Sequence, residues 1–223
     1  MTTDENSARR LRNWTLFAGC IALLLMALLS AVVYFSPDKQ PFPFDRWWMS
    51  AVLEGHTEVF TAISHVLNTV GGGVIAIFII PVGVTAFLLL CKRPWGAFYF
   101  LLTSAAVAAI VQVLKRLIER SRPEEIMIHS DFGSFPSGHS ANAALIAVAL
   151  GLIFPRVWVW AVGSAYVILM VFSRTYLGAH WASDTFAGVL IGAGCALVIF
   201  ALFSSRISAE PRQNRRVATG TSA

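Results

Sequence analysis

Charge is scarce in this chain. Asp, Glu, Lys and Arg make up 13% of it and apolar residues 57%, against about 25% charged in an average soluble domain. An ordinary soluble enzyme with a charged exterior is thereby excluded, and the composition is that of a membrane protein. Cysteine is scarce too. Cys20, Cys91 and Cys195 are odd in number and fall within or at the end of apolar runs, so they suggest neither a disulfide framework nor a metal site and read as small buried packing residues. No Asp/Glu cluster suits magnesium, and no internal repeat is visible.

What the chain does have is apolar length. Trp14 to Phe35 is 22 residues without a charge, too long for a signal-peptide core, so it reads as a retained transmembrane helix. Further spans are expected at about 71–91, 95–114, 138–155, 157–172 and 185–203. The expected fold is all-α, a polytopic membrane protein with a single six-helix transmembrane bundle over 14–205. A polar tail at 1–13 precedes it and a basic tail at 206–223 follows. The segment 44–68 mixes Asp45, Arg46, Glu54 and Glu58 with Trp47, Trp48 and Phe60, which suits a helix at headgroup level. Gly71-Gly72-Gly73 opens the second span without the strand and lysine of a phosphate loop, and Pro81 predicts a local kink. His56 and His65 each stand alone, without a second donor at metal spacing, and read as exposed or structural.

The short loops fix an expected topology. Arg9, Arg10, Arg12, Lys92, Arg93, Arg156 and the basic tail share one side, so both termini are expected in the cytoplasm. Basic tails also suit nucleic acid, but these flank membrane segments and lack interleaved aromatics, so an anionic inner leaflet is the partner they fit.

Helix counting then brings three polar clusters to the opposite face: Lys115 to Pro123, Pro136-Ser137-Gly138-His139, and Ser173 to Asp184. Lys115 and Arg122 offer a point charge and a guanidinium fork for phosphate oxygens. Arg116 and Arg120 are expected to face headgroups. Ser137 and Gly138 open an apolar helix, whose N-terminal amides attract anions, and a helix cap is the plain role of the serine. His180 and Asp184 are four apart, so on a helix the carboxylate can accept the Nδ1 proton and leave Nε2 free to attack phosphorus. Arg174 precedes them, and His139 suits a general acid toward the leaving oxygen. Without a magnesium site, the cations carry the charge stabilisation.

Lys115-x6-Arg122-Pro123, Pro136-Ser137-Gly138-His139 and Ser173-Arg174-x5-His180-x3-Asp184 resemble the three-part signature of the type 2 phosphatidic acid phosphatase (PAP2) family, with no position departing. The six-helix layout resembles the membrane branch of that PAP2/haloperoxidase-like type. The resemblance implies a lipid phosphate phosphatase that needs neither Mg²⁺ nor another cofactor and works through a phosphohistidine on His180. Asp184 would orient it, His139 would be the acid, and Lys115, Arg122, Ser137, Gly138 and Arg174 would hold phosphate. Undecaprenyl pyrophosphate, phosphatidylglycerophosphate and phosphatidate all fit such a site. Vanadate is expected to inhibit, and the site is expected at the outer face of a plasma membrane.

Two other classes compete. A transporter or channel would carry ionisable residues near the midplane and repeated halves, neither of which is present. A catalytically silent lipid-phosphate binder would not need His180 and His139. Gly188, Gly192 and Gly194 suit helix packing within one bundle, or dimerisation.

Overall fold

The computed structural model describes residues 3–128 and 133–219, with side chains from 6 to 210; residues 1–2 and 220–223 of the two tails and loop residues 129–132 lie outside it. Among the described residues there are eight α-helices and no strand. They are α1 (Thr3–Phe35), α2 (Pro43–Glu54), α3 (Glu58–Val70), α4 (Ile80–Leu90), α5 (Pro94–Ile118), α6 (Gly138–Ile153), α7 (Val157–Tyr176) and α8 (Ala182–Thr219).

Local chemistry sets their limits. Pro43 and Pro94 open α2 and α5, where the missing N–H would have had no partner. Thr57 caps α3 by accepting from the Phe60 amide at 3.3 Å. Glu119 ends α5 in the left-handed region at φ 48°, and Lys92, at φ 56°, turns α4 into α5.

Helix α8 packs against α1, α5 and α6. Its glycines permit the approach: a Cβ on Gly188 would strike the Ser137 carbonyl, and one on Gly192 the Ala141 carbonyl. Close packing inside the bundle is therefore the use of the small-residue stripe. Phe100, Val107, Leu145, Ile153 and Phe200 fill the core, while Leu24, Phe78, Val157 and Leu202 point outward and stay exposed. A contiguous apolar exterior of this kind suits hydrocarbon rather than water.

The span count differs from the expectation. Among the described residues, four helices are long and apolar enough to cross a membrane, within α1, α5, α7 and α8. The expected second span at 71–91 corresponds to Ile75–Leu90, which qualifies only together with α3, from the segment expected at headgroup level; the pair is bent by 54°, and counting it once makes five. Helix α6 has only 16 residues, about 24 Å at the α-helical rise, short of a hydrocarbon core of about 30 Å. The described helices thus supply four or five candidate crossings where six were expected. The irregularity expected at Pro81 is a π-helical turn over Ile75–Ile79, just before α4.

Other expectations also change. Segment 44–68 is two helices parted at Gly55, and Asp45 is fully buried. Helix α1 starts at Thr3, so described residues of the first tail continue it. Cys20 and Cys91 are exposed, and only Cys195 packs inside. His65 is exposed, as expected. His56 lies against the Tyr176 ring with centroids 4.4 Å apart, a structural contact.

The bundle has two distinct ends. At one, Arg93 donates to the Ile153 carbonyl at 3.1 Å, and Glu210 accepts from the Trp95 and Gly96 amides at the start of α5. A carboxylate there offsets the positive end of the helix dipole. The other end gathers the polar clusters.

Candidate active site

Backbone bonds bind the three clusters to one another. Ser134 N donates to the Arg120 carbonyl at 2.8 Å, and Ser137 N to the Asp184 carbonyl at 3.0 Å. His180 N donates to the Arg174 carbonyl at 3.2 Å across the turn that links α7 to α8. Gly178 makes that turn possible at φ 63°, with the Glu125 carbonyl 2.6 Å from where a Cβ would sit.

The cations converge on the same place. Lys115 Nζ donates to the Gly133 carbonyl at 2.6 Å, and Arg122 donates to the carbonyls of Gly133 and Ala179. Arg174 is 1% exposed and donates from Nη1 to Asn68 Oδ1 at 2.7 Å. Its Nε has no hydrogen-bond partner among the described residues. An orphaned guanidinium N–H is costly to bury and is what an oxyanion would satisfy. Lys115, Arg122 and Arg174 all act electrostatically on both His139 and His180, so the two imidazoles face one set of charges.

His180 is 3% exposed, and its Nδ1 lies 2.6 Å from the Ser134 carbonyl. A carbonyl only accepts, so Nδ1 carries the proton and Nε2 keeps its lone pair. Asp184 Oδ2 lies 3.8 Å from Nδ1. The hydrogen-bonding role expected of the carboxylate thus falls to a backbone carbonyl, and Asp184 acts on the ring at longer range. Burial first, then Lys115, Arg174 and Arg122, hold the His180 imidazole well below its ordinary pKa of 6.5.

Ser137 does cap α6, accepting from the Ser140 amide at 3.4 Å, and Gly138 is the first residue of that helix. His139 Nε2 lies 3.1 Å from the Asn68 carbonyl. Gly72 permits this, since a Cβ there would come within 2.5 Å of Nε2. The glycine triplet thus makes room for the imidazole. All eight residues singled out by sequence therefore sit at this end of the bundle.

Arg120 is the principal correction. It does not face headgroups; it is 1% exposed and joins two fully buried carboxylates, Asp184 at 2.5 Å and Asp45 at 2.9 Å. It also reaches Ser183 Oγ and the carbonyls of Lys39 and Gln40. Arg116, by contrast, is exposed as expected. Asp45, Asn68 and the Ser134 carbonyl escaped the sequence reading. For Asp45 a signal existed: with Met49 and Val52, the buried apolar residues of α2, it forms an i, i+4, i+7 stripe. A charge on that stripe predicts a buried partner. A cavity of about 500 Å³ adjoins the cluster, lined among others by Lys39, Arg46, Ser121, Arg122, Glu124 and Trp181.

A helical, multi-pass membrane protein with a cation-rich, two-histidine site at one end of its bundle is the class that fold and site define. Residues 96–208 match the PAP2 superfamily, and the chain belongs to it. It is 29% identical over 181 residues to an undecaprenyl-diphosphatase of Sulfolobus acidocaldarius, covering 77% of this chain and 84% of that one. It is 33% identical over 121 residues to a lipid A 1-phosphatase of Rhizobium johnstonii, where the match spans 49% of each protein. Among solved structures, a transmembrane PAP2-type phosphatidylglycerolphosphate phosphatase from Bacillus subtilis superposes with a TM-score of 0.70 at 23% identity. That superposition covers 85% of this chain and 96% of the other. The relatives are named phosphatases, and the likeness to the solved structure is one of fold.

Proposed function

We propose that the protein is an integral-membrane phosphatase that hydrolyses a lipid phosphate or pyrophosphate through a phosphohistidine on His180, without a metal. The observation that carries the reading is the tautomer of His180, fixed by the Ser134 carbonyl, beside a buried Arg174 with an unsatisfied N–H. A nucleophile and an anion site are supplied together.

In the proposed reaction Lys115, Arg122, Arg174 and the Ser137-Gly138 end of α6 hold the phosphoryl oxygens. His180 Nε2 forms a bond to phosphorus as the bond to the leaving oxygen breaks, and His139, protonated once the bound phosphate offsets the cations around it, gives that oxygen its proton. The ring becomes a cation, faced by Asp184. Water then attacks phosphorus, His139 takes its proton, and the P–N bond breaks to release phosphate and restore His180.

The substrate class is the lipid phosphates: undecaprenyl pyrophosphate, phosphatidylglycerophosphate or phosphatidate, admitted with the tail between helices. In this reading α3 with α4 makes one crossing and α6 another, giving six. Both termini then lie in the cytoplasm and the site at the outer face of the plasma membrane. Purified protein in detergent is expected to release phosphate from these lipids with EDTA present, with vanadate inhibiting and His180→Ala abolishing turnover. Release that requires a divalent metal, or full turnover in His180→Ala, overturns the reading.

A further inference from the structure

Asp45 lies outside residues 96–208, the stretch that matches the family, yet it reaches the catalytic loop. Its Oδ1 accepts from the Ser183 amide at 2.8 Å, and its Oδ2 from Ser183 Oγ at 2.7 Å and Arg120 Nη2 at 2.9 Å. Arg120 in turn holds Asp184. Both carboxylates and the guanidinium are shielded from solvent, with side-chain exposures of 0%. Charges so placed are screened little by water or salt.

Their sum matters more than any single contact. Arg120 alone would neutralise Asp184 and leave nothing negative behind His180. With Asp45 included, two carboxylates and one guanidinium leave one net negative charge. On the phosphate side of the ring stand Lys115, Arg122 and Arg174, all opposing a cation on the imidazole. When His180 Nε2 bonds phosphorus the ring becomes such a cation, and a net negative group behind it offsets that cost.

We propose that Asp45, delivered by α2, is a positioning residue for the phosphohistidine chemistry: through Arg120 it restores the negative charge that stabilises the His180 cation. This rests on the phosphatase reading above. Phe44 and Trp47, its neighbours on α2, are 57% and 60% exposed, so one helix presents aromatic side chains outward and this carboxylate inward.

The test compares kcat and KM for lipid phosphate in wild type, Asp45→Asn, Arg120→Gln and the double variant at pH 8, with thermal melting in parallel. Asp45→Asn keeps the shape and the Oδ1 acceptor of the Ser183 amide, replaces the Oδ2 acceptor of Arg120, Ser183 Oγ and the Phe42 amide with a donor, and brings the net charge to zero. Its kcat is expected to fall about 10- to 100-fold, the scale on which outer partners of an active-site group act, with KM changed less than about threefold. In the double variant Asp184 alone again supplies one negative charge, so kcat is expected to rise above that of Asp45→Asn. Should Asp45→Asn not fold, the double variant, whose net charge equals that of wild type, is expected to keep kcat within about tenfold of wild type, and a larger loss overturns the proposal. A purely structural role predicts lower melting with kcat kept in Asp45→Asn, or a double variant slower than either single one, and either result overturns the proposal. A wild type that releases no phosphate removes the phosphatase reading itself, whereas an active wild type with an unimpaired Asp45→Asn removes only the role of Asp45.

Discussion

His180 shows how one side chain is prepared by contacts of different kinds. A backbone carbonyl at 2.6 Å sets its tautomer, a carboxylate at 3.8 Å adds negative charge, and three cations bias it toward the neutral form. The sign is definite. A histidine with a lowered pKa stays deprotonated as pH falls through 6.5, and it regains a proton only at more acid pH. NMR titration of ¹³C-labelled histidine is expected to put the midpoint of His180 below 6.5, and Lys115→Met to move it upward. A wild-type midpoint at or above 6.5 contradicts this account. The same shift makes folding less favourable in acid: below 6.5 the unfolded chain binds the proton that folded His180 refuses, so stability declines as pH drops.

Among the elements, the bent pair formed by α3 and α4 governs His139. Asn68, near the end of α3, accepts from His139 through its carbonyl and from Arg174 through its side chain. The glycine triplet follows at once and leaves the space that the imidazole fills. Gly72→Ala places a methyl group against Nε2, and overpacking of this sort costs about 1–3 kcal/mol. Its kcat is expected to drop about tenfold or more, since a displaced acid loses most of the gain that general acid catalysis supplies. Gly83→Ala is the matched control. Nothing lies within 4 Å of a Cβ there, so its kcat is expected to match wild type while folding stability rises slightly, by about 0.4–1 kcal/mol. Equal turnover in the two variants rules out the cradle.

On the scale of the whole molecule, the two ends differ in kind. One end carries Lys92, Arg93 and Arg156, with Glu210 closing the start of α5; the other carries Lys115, Arg122, Arg174 and the two histidines. Cysteine placed at Glu124 is expected to react with an impermeant maleimide in intact cells, in a background lacking Cys20, Cys91 and Cys195. Cysteine placed at Lys92 is expected to react only after the cells are opened. The reverse pattern inverts the proposed topology.

Sequence by itself determined the membrane class, the eight motif residues and their meeting at one end, because apolar run length and loop order are local, additive properties. It also held Asp45 on the buried stripe of α2, although the meaning of that charge could not be read without its partner. The tertiary structure decided the rest. Arg120 turned inward because two carboxylates distant in sequence lie there, and the Ser134 carbonyl accepts the Nδ1–H hydrogen bond because it lies closer than Asp184. Helix α6 proved short and the chain bends between α3 and Ile75–Leu90, since length and bend depend on what neighbouring helices cover. Long-range pairing of charges and backbone groups leaves no periodic trace in a chain, so only packing could reveal it.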